Sequence, residues 1–580
     1  MISASNKFRR PSLFWLVILV PPALIALIVA AYASEVPFMD EWDVAPLLFA
    51  LRNGSLQFAH LWLNHNEHRM LFPRALIVSL MALLGKWSIR AEVFTTVMIA
   101  IAQLFIFWRI ARATVPARFI LPLTLIASAL IFHPLGSYNW LMGLQIAWFL
   151  ALTCAIAAIA AIFARPGRWH GVVIATVAAV IGTYSMSAGL AIWPVGLMGL
   201  IALRRKGLGS RKQIALWCVA GIGAIGVFLA TYPTSTESSS LVANLMRPLQ
   251  VAFFVVEFLG GPFRIIYDGS YSAIIGAIGV LLALALAIRL ARSRRRIGLL
   301  PTAILPWVMI VFFSALVAGM IGVTRSHMEN AAHVAHYVAL SGLFWIGIAG
   351  AHMALSGLPT ADGDTIQTTS VQPAHLAVAV ITIALTIGYL RSWNQGLTHI
   401  QLLSGQLRAF ELSMLSNVKP VPEDLVVNII YPVYGRPIQY SAQLRKLDEG
   451  FFWHGRDEAA VLSRVISAAT SSKPATRQIL YQGYIGAVSC ERIDGWAWDR
   501  NDPDPITVSV LVDGVPTGTL VANVYRADLV NAGIGDGSHG FSGNLPEHAW
   551  DGNEHTIALT FEQTNEMLIG SPRKIQCPAK

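Results

Sequence analysis

The feature that most constrains this chain is a series of eleven apolar runs separated by short basic clusters. Most of these runs approach the ~20 residues that an α-helix needs to cross the hydrocarbon core of a bilayer. The 580 residues are 55% hydrophobic and only 13% charged, which is too apolar for a soluble protein of this length. We therefore expect a polytopic α-helical membrane domain of about 11 transmembrane helices, over the runs near 13–33, 92–108, 119–132, 141–163, 171–186, 189–203, 214–231, 272–288, 301–321, 337–354 and 375–391.

Basic residues predict the orientation of these helices. By the positive-inside rule the basic clusters lie in the cytoplasm, and they occupy Lys7–Arg10, Arg109–Arg118, Arg165–Arg168, Arg204–Lys212 and Arg289–Arg296. Eleven crossings from a cytoplasmic N-terminus then place the C-terminal region outside the membrane. The apolar runs 71–85 and 248–262 would each reverse this orientation if they crossed. We interpret both as re-entrant or surface-lying helices.

Charge and local patterning divide the chain into three regions. Residues 1–391 carry a net charge of +15 and the remaining residues −5, which together give the +10 of the whole chain. We predict a membrane domain over 1–391 with a long first outer loop at 34–70, an extracytoplasmic helical or linker region over 392–480, and a β-sandwich over 481–580. Because the basic residues lie in short loop clusters rather than on one face, they do not indicate nucleic-acid binding.

The C-terminal region has the pattern of a small antiparallel β domain. The stretches ITVSVLVDG, GTLVANVY and HTIALTFE alternate apolar and polar residues between turn signals. Cys490 and Cys577 flank this region and could form a disulfide in an oxidising exterior, the alternative being two unpaired thiols. The faces of Trp496, Trp498 and Trp550 could stack on sugars, although core packing is the commoner fate of Trp in a small β domain.

The first candidate site is the acidic stretch PFMDEWD, directly after the first apolar run. Asp40, Glu41 and Asp43 lie where the outer membrane surface is expected. A carboxylate in such a place, partly shielded from water, could take a proton from a substrate hydroxyl as a general base. We favour Asp40 and Asp43 over Glu41 for this role; the alternative is an exposed loop with solvated acids.

The second candidate site is NHNEHRMLFPR in the same loop. His65 and His68 lie three residues apart and, with an acid of the first stretch, could complete a metal site. Glu67 and Arg74 could support the site, and Arg69 could orient an anionic substrate. The other alternative is a solvated loop anchored at the membrane surface. This pattern requires no cofactor. Of the two functional interpretations, binding of a divalent metal is less favoured than binding of an anionic substrate.

The third candidate site is GVTRSHMENAAHVAHY, at the outer end of a predicted span. If the stretch is helical, Arg325, Glu329, His333 and His336 fall close to one face. An Arg there could bind a phosphate through two parallel hydrogen bonds, with His as a further donor. Arg264, from another outer loop, is a weaker phosphate-binding candidate. The alternative is that these side chains only extend toward the membrane surface and cap the helix.

The order of these three motifs is similar to that of membrane glycosyltransferases of the GT-C superfamily. MDEWD, HNEHRMLFPR and TRSHMENAAHVAHYVALSGLFW resemble segments of its bacterial members, and the resemblance covers roughly residues 10–391. Where we would expect an Arg before the Tyr of the third motif, this chain has His336. The segments DGWAWDRNDPDPITVSVLVDG and GDGSHGFSGNLP look like a β domain attached to bacterial glycan-handling proteins.

The resemblance implies an inverting glycosyltransferase in a bacterial inner membrane, with its C-terminal domain periplasmic or extracellular. A first-loop acid would be the catalytic base, the donor a sugar on a polyprenyl phosphate, and the acceptor a surface glycan or glycolipid. The alternatives are a polysaccharide polymerase or ligase, a non-catalytic glycolipid transporter or flippase, and a structural membrane protein. The chain has no Walker A sequence, no dinucleotide-binding Gly motif after a strand and no Ser/His/Asp signature that would favour another chemistry.

Overall fold

The protein is mostly helical, with an all-β C-terminal region. The computed structural model describes residues 11–231, 244, 246–264, 269–297, 301–327, 331–356, 373–415, 435–452, 481–499, 504–526, 529, 534, 536–546, 549–562 and 567–578. Within this part of the chain, seven helical segments are long and apolar enough to cross a membrane: Ile89–Thr114, Gly143–Ala164, Ser187–Arg205, Arg211–Ala230, Tyr271–Arg292, Leu305–Arg325 and Ala335–Leu355. The larger count of about 11 spans stays a prediction.

The helices of the first compact unit follow the apolar runs, with interruptions. In chain order they are α1 Pro11–Ile18, α2 Val20–Tyr32, α3 Ala45–Arg52, α4 Phe58–Trp62, α5 Leu71–Leu84, α6 Ile89–Thr114, α7 Ala117–Ile131, α8 Ser137–Leu141, α9 Ile146–Ala164, α10 Trp169–Thr183, α11 Ile192–Arg205, α12 Arg211–Ala230, α13 Pro248–Leu259, α14 Gly269–Ile297, α15 Leu305–Arg325, α16 Val338–Leu355, α17 Pro373–Leu415 and α18 Gly435–Leu447. The runs 71–85 and 248–262, expected not to cross, form the short helices α5 and α13.

Local sequence sets several of these boundaries. Ser88 begins α6 because its side chain accepts a hydrogen bond from the backbone amide of Ala91. Ser210 begins α12 through a reciprocal capping box with Gln213. The first apolar run is divided into α1 and α2 just before the Pro21-Pro22 pair, which is compatible with the first turn of a helix but not with its interior. Buried aromatic side chains such as Trp42, Trp140 and Trp307 then fill the interior of the bundle.

The described helical residues after 391, in α17 and α18, lie in the first of two compact units. Contacts divide the chain into Met1–Gly455 and Arg456–Lys580. The side chain of Glu449 forms an ion pair with Arg52 and accepts a hydrogen bond from the backbone amide of Trp87, with N···Oε2 at 2.9 Å. Ser404 Oγ donates to the carbonyl of Tyr32 at 2.8 Å. The late residues of this unit are therefore packed on its first part, between Tyr32 and Trp87.

The C-terminal unit contains two antiparallel sheets that share one core. The strands are β3 Tyr481–Val488, β4 Arg492–Asp499, β5 Thr507–Val512, β6 Val515–Val521, β7 Gly540–Asn544, β8 Glu554–Phe561 and β9 Arg573–Gln576. The sheet orders are β3-β4-β7 and β6-β5-β8-β9. Ile485 and Phe541 of the first sheet pack in the same core as Val510 and Leu559 of the second. A disulfide joins Cys490 to Cys577.

Two glycines allow α13 and α14 to cross at very short range. A Cβ at Gly276 would overlap the backbone carbonyl oxygen of Val256, and a Cβ at Gly260 would overlap that of Ser272. Small residues permit this kind of backbone approach between apolar helices. The crossing holds α13 against α15, which carries one of the candidate site residues.

Replacement of Gly276 by Ala is expected to destabilise the protein by about 1–3 kcal/mol, because the added methyl group meets backbone that cannot rotate away. Thermal unfolding of the detergent-solubilised protein measures the change. Gly223→Ala is the matched control, since Gly223 is also helical and a Cβ there meets nothing within 4 Å. Equal unfolding temperatures for the two variants would contradict the close crossing.

Candidate functional site

One cavity of about 330 Å³ receives residues from all three sequence motifs. Asp40 comes from the acidic stretch, His65, Glu67 and His68 from the second motif, and Arg325 and His336 from the third. Most of the remaining lining is apolar and includes Met186, Leu190, Phe228, Leu229, Val317, Met320 and Ile321. The cavity therefore combines acidic and cationic groups with a largely apolar wall.

The three acids of the first stretch have different environments. They lie in a 3₁₀ helix, Met39–Val44, that follows α2. Asp40 lines the cavity with its side chain 48% exposed. Glu41 is buried, and its carboxylate accepts hydrogen bonds from the backbone amides of Phe38, at 2.8 Å, and Gly143. Burial raises the pKa of Glu41 to about 8, although these amides act to lower it. Glu41 thus holds the loop in place, and Asp40 is the acid that a ligand can reach.

The second motif forms a β-hairpin that sequence patterning did not predict. Strands β1, Asn64–His65, and β2, His68–Arg69, pair antiparallel, with His65 opposite His68. Asn66 has a φ of 50° in the two-residue turn, a conformation that Asn tolerates better than most residues. A helical reading would put His65 and His68 on one face to share a metal. The hairpin instead lets each histidine contact a different acid.

His65 bridges the two acids that the sequence analysis favoured. Its Nε2 lies 3.3 Å from Asp40 Oδ2, and its Nδ1 lies 3.4 Å from Asp43 Oδ2. The His65 side chain is only 6% exposed. Burial alone would lower the pKa of His65, but hydrogen bonds to Asp40 and Asp43 outweigh it and raise the pKa to about 9. Protonated His65 therefore holds Asp40 at the cavity wall. Asp43 contacts the other ring nitrogen of His65 and does not line the cavity.

This bridge predicts a loss of stability at alkaline pH. The folded-state pKa of His65 lies above its ordinary 6.5, so the stabilisation is complete below about pH 6.5 and is lost as the pH rises toward about 9. We expect His65→Gln to remove roughly 1–2 kcal/mol at neutral pH, after allowance for solvent screening at half-exposed Asp40. Unfolding temperatures at about pH 6 and pH 9.5 measure it. A wild type that loses no more stability over this interval than His65→Gln would contradict the bridge.

Arg325 is the guanidinium that faces the cavity, and it is already paired. Its Nη2 lies 2.7 Å from Glu67 Oε1, and its Nη1 donates to the hydroxyl of Tyr337 at 2.8 Å. His68 Nε2 lies 3.6 Å from the same Glu67 oxygen. Burial lowers the pKa of His68 to about 4, so this imidazole is neutral. Burial acts to raise the pKa of Glu67, but the charge and hydrogen bond of Arg325 outweigh it and keep this pKa below the usual value.

The two arginines of the second motif, Arg69 and Arg74, do not line the cavity. Arg69 donates to the backbone carbonyls of Trp62 and Thr231, and its guanidinium carbon lies 5.2 Å from the Trp62 ring centroid. Arg74 donates to the carbonyl of Leu63. Both guanidinium groups are used to hold loop backbone, so we assign them to support of the hairpin rather than to ligand binding.

The third motif is not a single helix. Its candidate residues therefore do not share one helical face. Helix α15 ends at Arg325, and two 3₁₀ turns, Ala331–His333 and Ala335–Tyr337, precede α16. Arg325 and His336 reach the cavity. His333 turns away: its carbonyl accepts from Arg264, and its Nε2 lies 2.9 Å from Ser272 Oγ. Glu329 lies outside the described residues.

Sequence reasoning gave no role to several polar residues of the cavity, among them Gln145, Trp148 and Tyr337. Gln145 Oε1, Trp148 Nε1 and His68 Nδ1 are buried atoms without a hydrogen-bond partner among the described residues. Most buried polar groups in proteins are paired, so their clustering at one cavity marks a place where a polar ligand could bind. The signal was a glutamine at the start of an otherwise apolar run, and a tyrosine after His336.

Among the described residues, no group of three or more His, Cys, Asp or Glu side chains could hold a metal ion.

The tryptophans proposed to contact glycan lie in the C-terminal unit. Trp496 and Trp498 lie on β4 and alternate with buried Ile493 and Ala497, so they occupy the outer face of their sheet. The Trp498 ring lies 5.6 Å from that of His539. Trp550 packs against the core.

No family model, curated protein or solved structure matches this chain.

Proposed function

We propose that this protein is a membrane glycosyltransferase that moves a sugar from a polyprenyl-phosphate donor to a cell-surface glycan or glycolipid. The observation that carries the proposal is the presence of Asp40 and Arg325 on one cavity. Sugar transfer from a lipid phosphate needs a base for the acceptor hydroxyl and a cation for the departing phosphate. These two residues supply the two requirements, and the resemblance to the GT-C superfamily predicts the same chemistry.

In the proposed reaction Asp40 takes the proton of the acceptor hydroxyl. The oxygen attacks the anomeric carbon from the side opposite the phosphate, a new glycosidic bond forms, and the bond from the anomeric carbon to the phosphate oxygen breaks with inversion. The phosphate leaves with the bonding electron pair, and Arg325 stabilises the charge that develops on it. Tyr337 can donate a hydrogen bond to the same oxygen atoms.

The apolar part of the cavity lining suits the lipid part of such a donor. Phe228 and Leu229 come from α12, and Val317, Met320 and Ile321 come from α15. Both helices are among those that could span a membrane, so their cavity-facing side chains could contact the first isoprene units. The unpaired polar atoms of Gln145, Trp148 and His68 could bind sugar hydroxyls. We place the site at the outer face of a bacterial inner membrane, and Trp496 and Trp498 could contact glycan.

Reconstitution tests the proposal. The purified protein in proteoliposomes is given a radiolabelled sugar on a short polyprenyl phosphate together with candidate glycan acceptors. A transferase produces a new glycosidic bond of inverted configuration and an equal amount of free polyprenyl phosphate. A flippase instead moves the label across the bilayer without a new bond, and that outcome would refute the enzymatic assignment.

A further inference from the structure

The cavity presents an anion-binding pair, Arg325 and Tyr337, at the end of α15 and the start of α16. The guanidinium donates from both terminal nitrogens, to the Tyr337 hydroxyl at 2.8 Å and to Glu67 Oε1 at 2.7 Å. Arg–carboxylate and Arg–phosphate pairs use the same planar donors. A phosphate oxygen that binds Arg325 in this cavity therefore competes with the carboxylate of Glu67.

A phosphate that binds Arg325 while Glu67 is still in place has an unfavourable interaction energy. The Glu67 carboxylate is ionised, because the ion pair with Arg325 keeps its pKa below the usual value. His68 is neutral and supplies no positive charge to offset a second anion. A phosphate beside Glu67 would place two negative groups on one guanidinium. Two anions that contact the same guanidinium repel each other strongly where apolar side chains exclude water.

The position of Glu67 permits its displacement. It occupies the turn of a hairpin whose strands are each two residues long, next to exposed Asn66. The Glu67 side chain is 32% exposed and that of Arg325 30% exposed. A partly solvated ion pair of this kind contributes little stability, so the carboxylate can leave the guanidinium when a better anion arrives.

We infer that Arg325 and Tyr337 form an oxyanion site for a phosphate group, and that Glu67 occupies this site in the unliganded protein as a displaceable carboxylate. The lipid source of the phosphate rests on the proposed function, whereas the exchange of Glu67 for a phosphate does not. Glu67 is then a determinant of donor affinity, and it excludes free anions that bring too little binding energy to displace it.

Equilibrium binding to the full-length protein in detergent tests the inference, with farnesyl phosphate, inorganic phosphate and farnesol as probes. Glu67→Gln keeps the side-chain shape and removes the competing charge. We expect it to bind farnesyl phosphate about five- to tenfold more tightly than the wild type and to gain measurable affinity for inorganic phosphate. Farnesol, which has no phosphate, should bind both proteins equally.

Asp40→Asn is the matched control, since Asp40 is another cavity acid but is not an Arg325 partner in the observed pairs. It should change farnesyl phosphate affinity much less. Glu67→Asp, which shortens the carboxylate by one methylene, should give an intermediate gain and serves as the second variant if Glu67→Gln fails to fold. Adding Arg325→Gln to Glu67→Gln should abolish the gain.

Equal farnesyl phosphate affinity in the wild type and Glu67→Gln would overturn the inference, as would a gain that persists without Arg325. A gain for farnesol as large as that for farnesyl phosphate would also overturn it, because the effect would then be apolar. These measurements involve no turnover. If Glu67→Gln binds phosphate more tightly but the wild type transfers no sugar, the inference is upheld and the proposed function is refuted. If the wild type transfers sugar but Glu67→Gln has unchanged phosphate affinity, the proposed function is upheld and the inference is refuted.

Discussion

Asp40→Asn is expected to lower the turnover number for sugar transfer by about 10²–10⁴-fold, the usual contribution of a positioned general base. The amide keeps the size of the side chain but cannot accept the acceptor's proton. Donor affinity should stay within a few-fold of the wild type, since the observed pairs of Arg325 are Tyr337 and Glu67. Steady-state kinetics with a saturating lipid-linked donor separates the two effects.

Asp43→Asn is the control for this experiment. Asp43 contacts the same His65, but it does not belong to the lining of the cavity. We expect only a several-fold loss, through poorer positioning of Asp40 by His65. If Asp43→Asn were the more damaging of the two in folded protein, the base would have to be reassigned to Asp43. Equal turnover in Asp40→Asn and the wild type would remove the base from the proposal altogether.

Arg325→Gln is expected to reduce kcat/KM for the lipid-linked donor by about 10²–10³-fold, because a charged donor to the leaving oxygen is lost where the negative charge develops. The substitution also leaves Glu67 without its ion-pair partner. The double variant Arg325→Gln with Glu67→Gln removes that second effect. It should therefore restore the unfolding temperature more than it restores transfer.

Arg247→Gln provides the comparison for the charge change. Arg247 is exposed at the start of α13 and is not part of the cavity lining. Its loss should leave kcat/KM within about twofold of the wild type, as is usual for exposed charges. A comparable fall in both arginine variants would show that the general positive charge of the chain matters rather than a specific contact with phosphate.

The residue types of the site could be predicted from the sequence better than their arrangement. Charged residues at the end of an apolar run are informative by themselves, so Asp40 and Arg325 could be named as candidates without a structure. The different environments of the neighbouring acids Asp40 and Glu41 could not be predicted in this way. Glu41 lies one residue further along the 3₁₀ helix than Asp40, and its carboxylate accepts from the amide of Gly143, 102 positions away.

The third motif shows why periodicity was not sufficient. A helical reading puts Arg325, His333 and His336 on one face, but α15 ends at Arg325. The later residues belong to 3₁₀ turns, so His333 contacts Ser272 and Arg264 rather than the cavity. Arg69 was similarly misleading, because the carbonyls it binds come from residues 62 and 231. Such long-range backbone partners leave no local pattern in the sequence.

The apolar helices of the first unit also show that composition could be predicted better than geometry. Apolar composition identified the helical regions, and it separated them from the alternating pattern of the β domain. Length was harder to predict: α7 and α10 have 15 residues each, fewer than the ~20 that a perpendicular crossing needs. Helix ends depend on caps and on packing against neighbours, which a run of apolar letters does not encode.

The contact of Glu449 with Arg52 and Trp87 has a practical consequence for deletion experiments. A truncated chain that stops after the last apolar run would leave the Arg52 side chain and the Trp87 amide without their partner Glu449. Such a protein would be a destabilised version of the first unit rather than a minimal one. The shortest version worth expressing retains everything through Gly455, where the division between the two units falls.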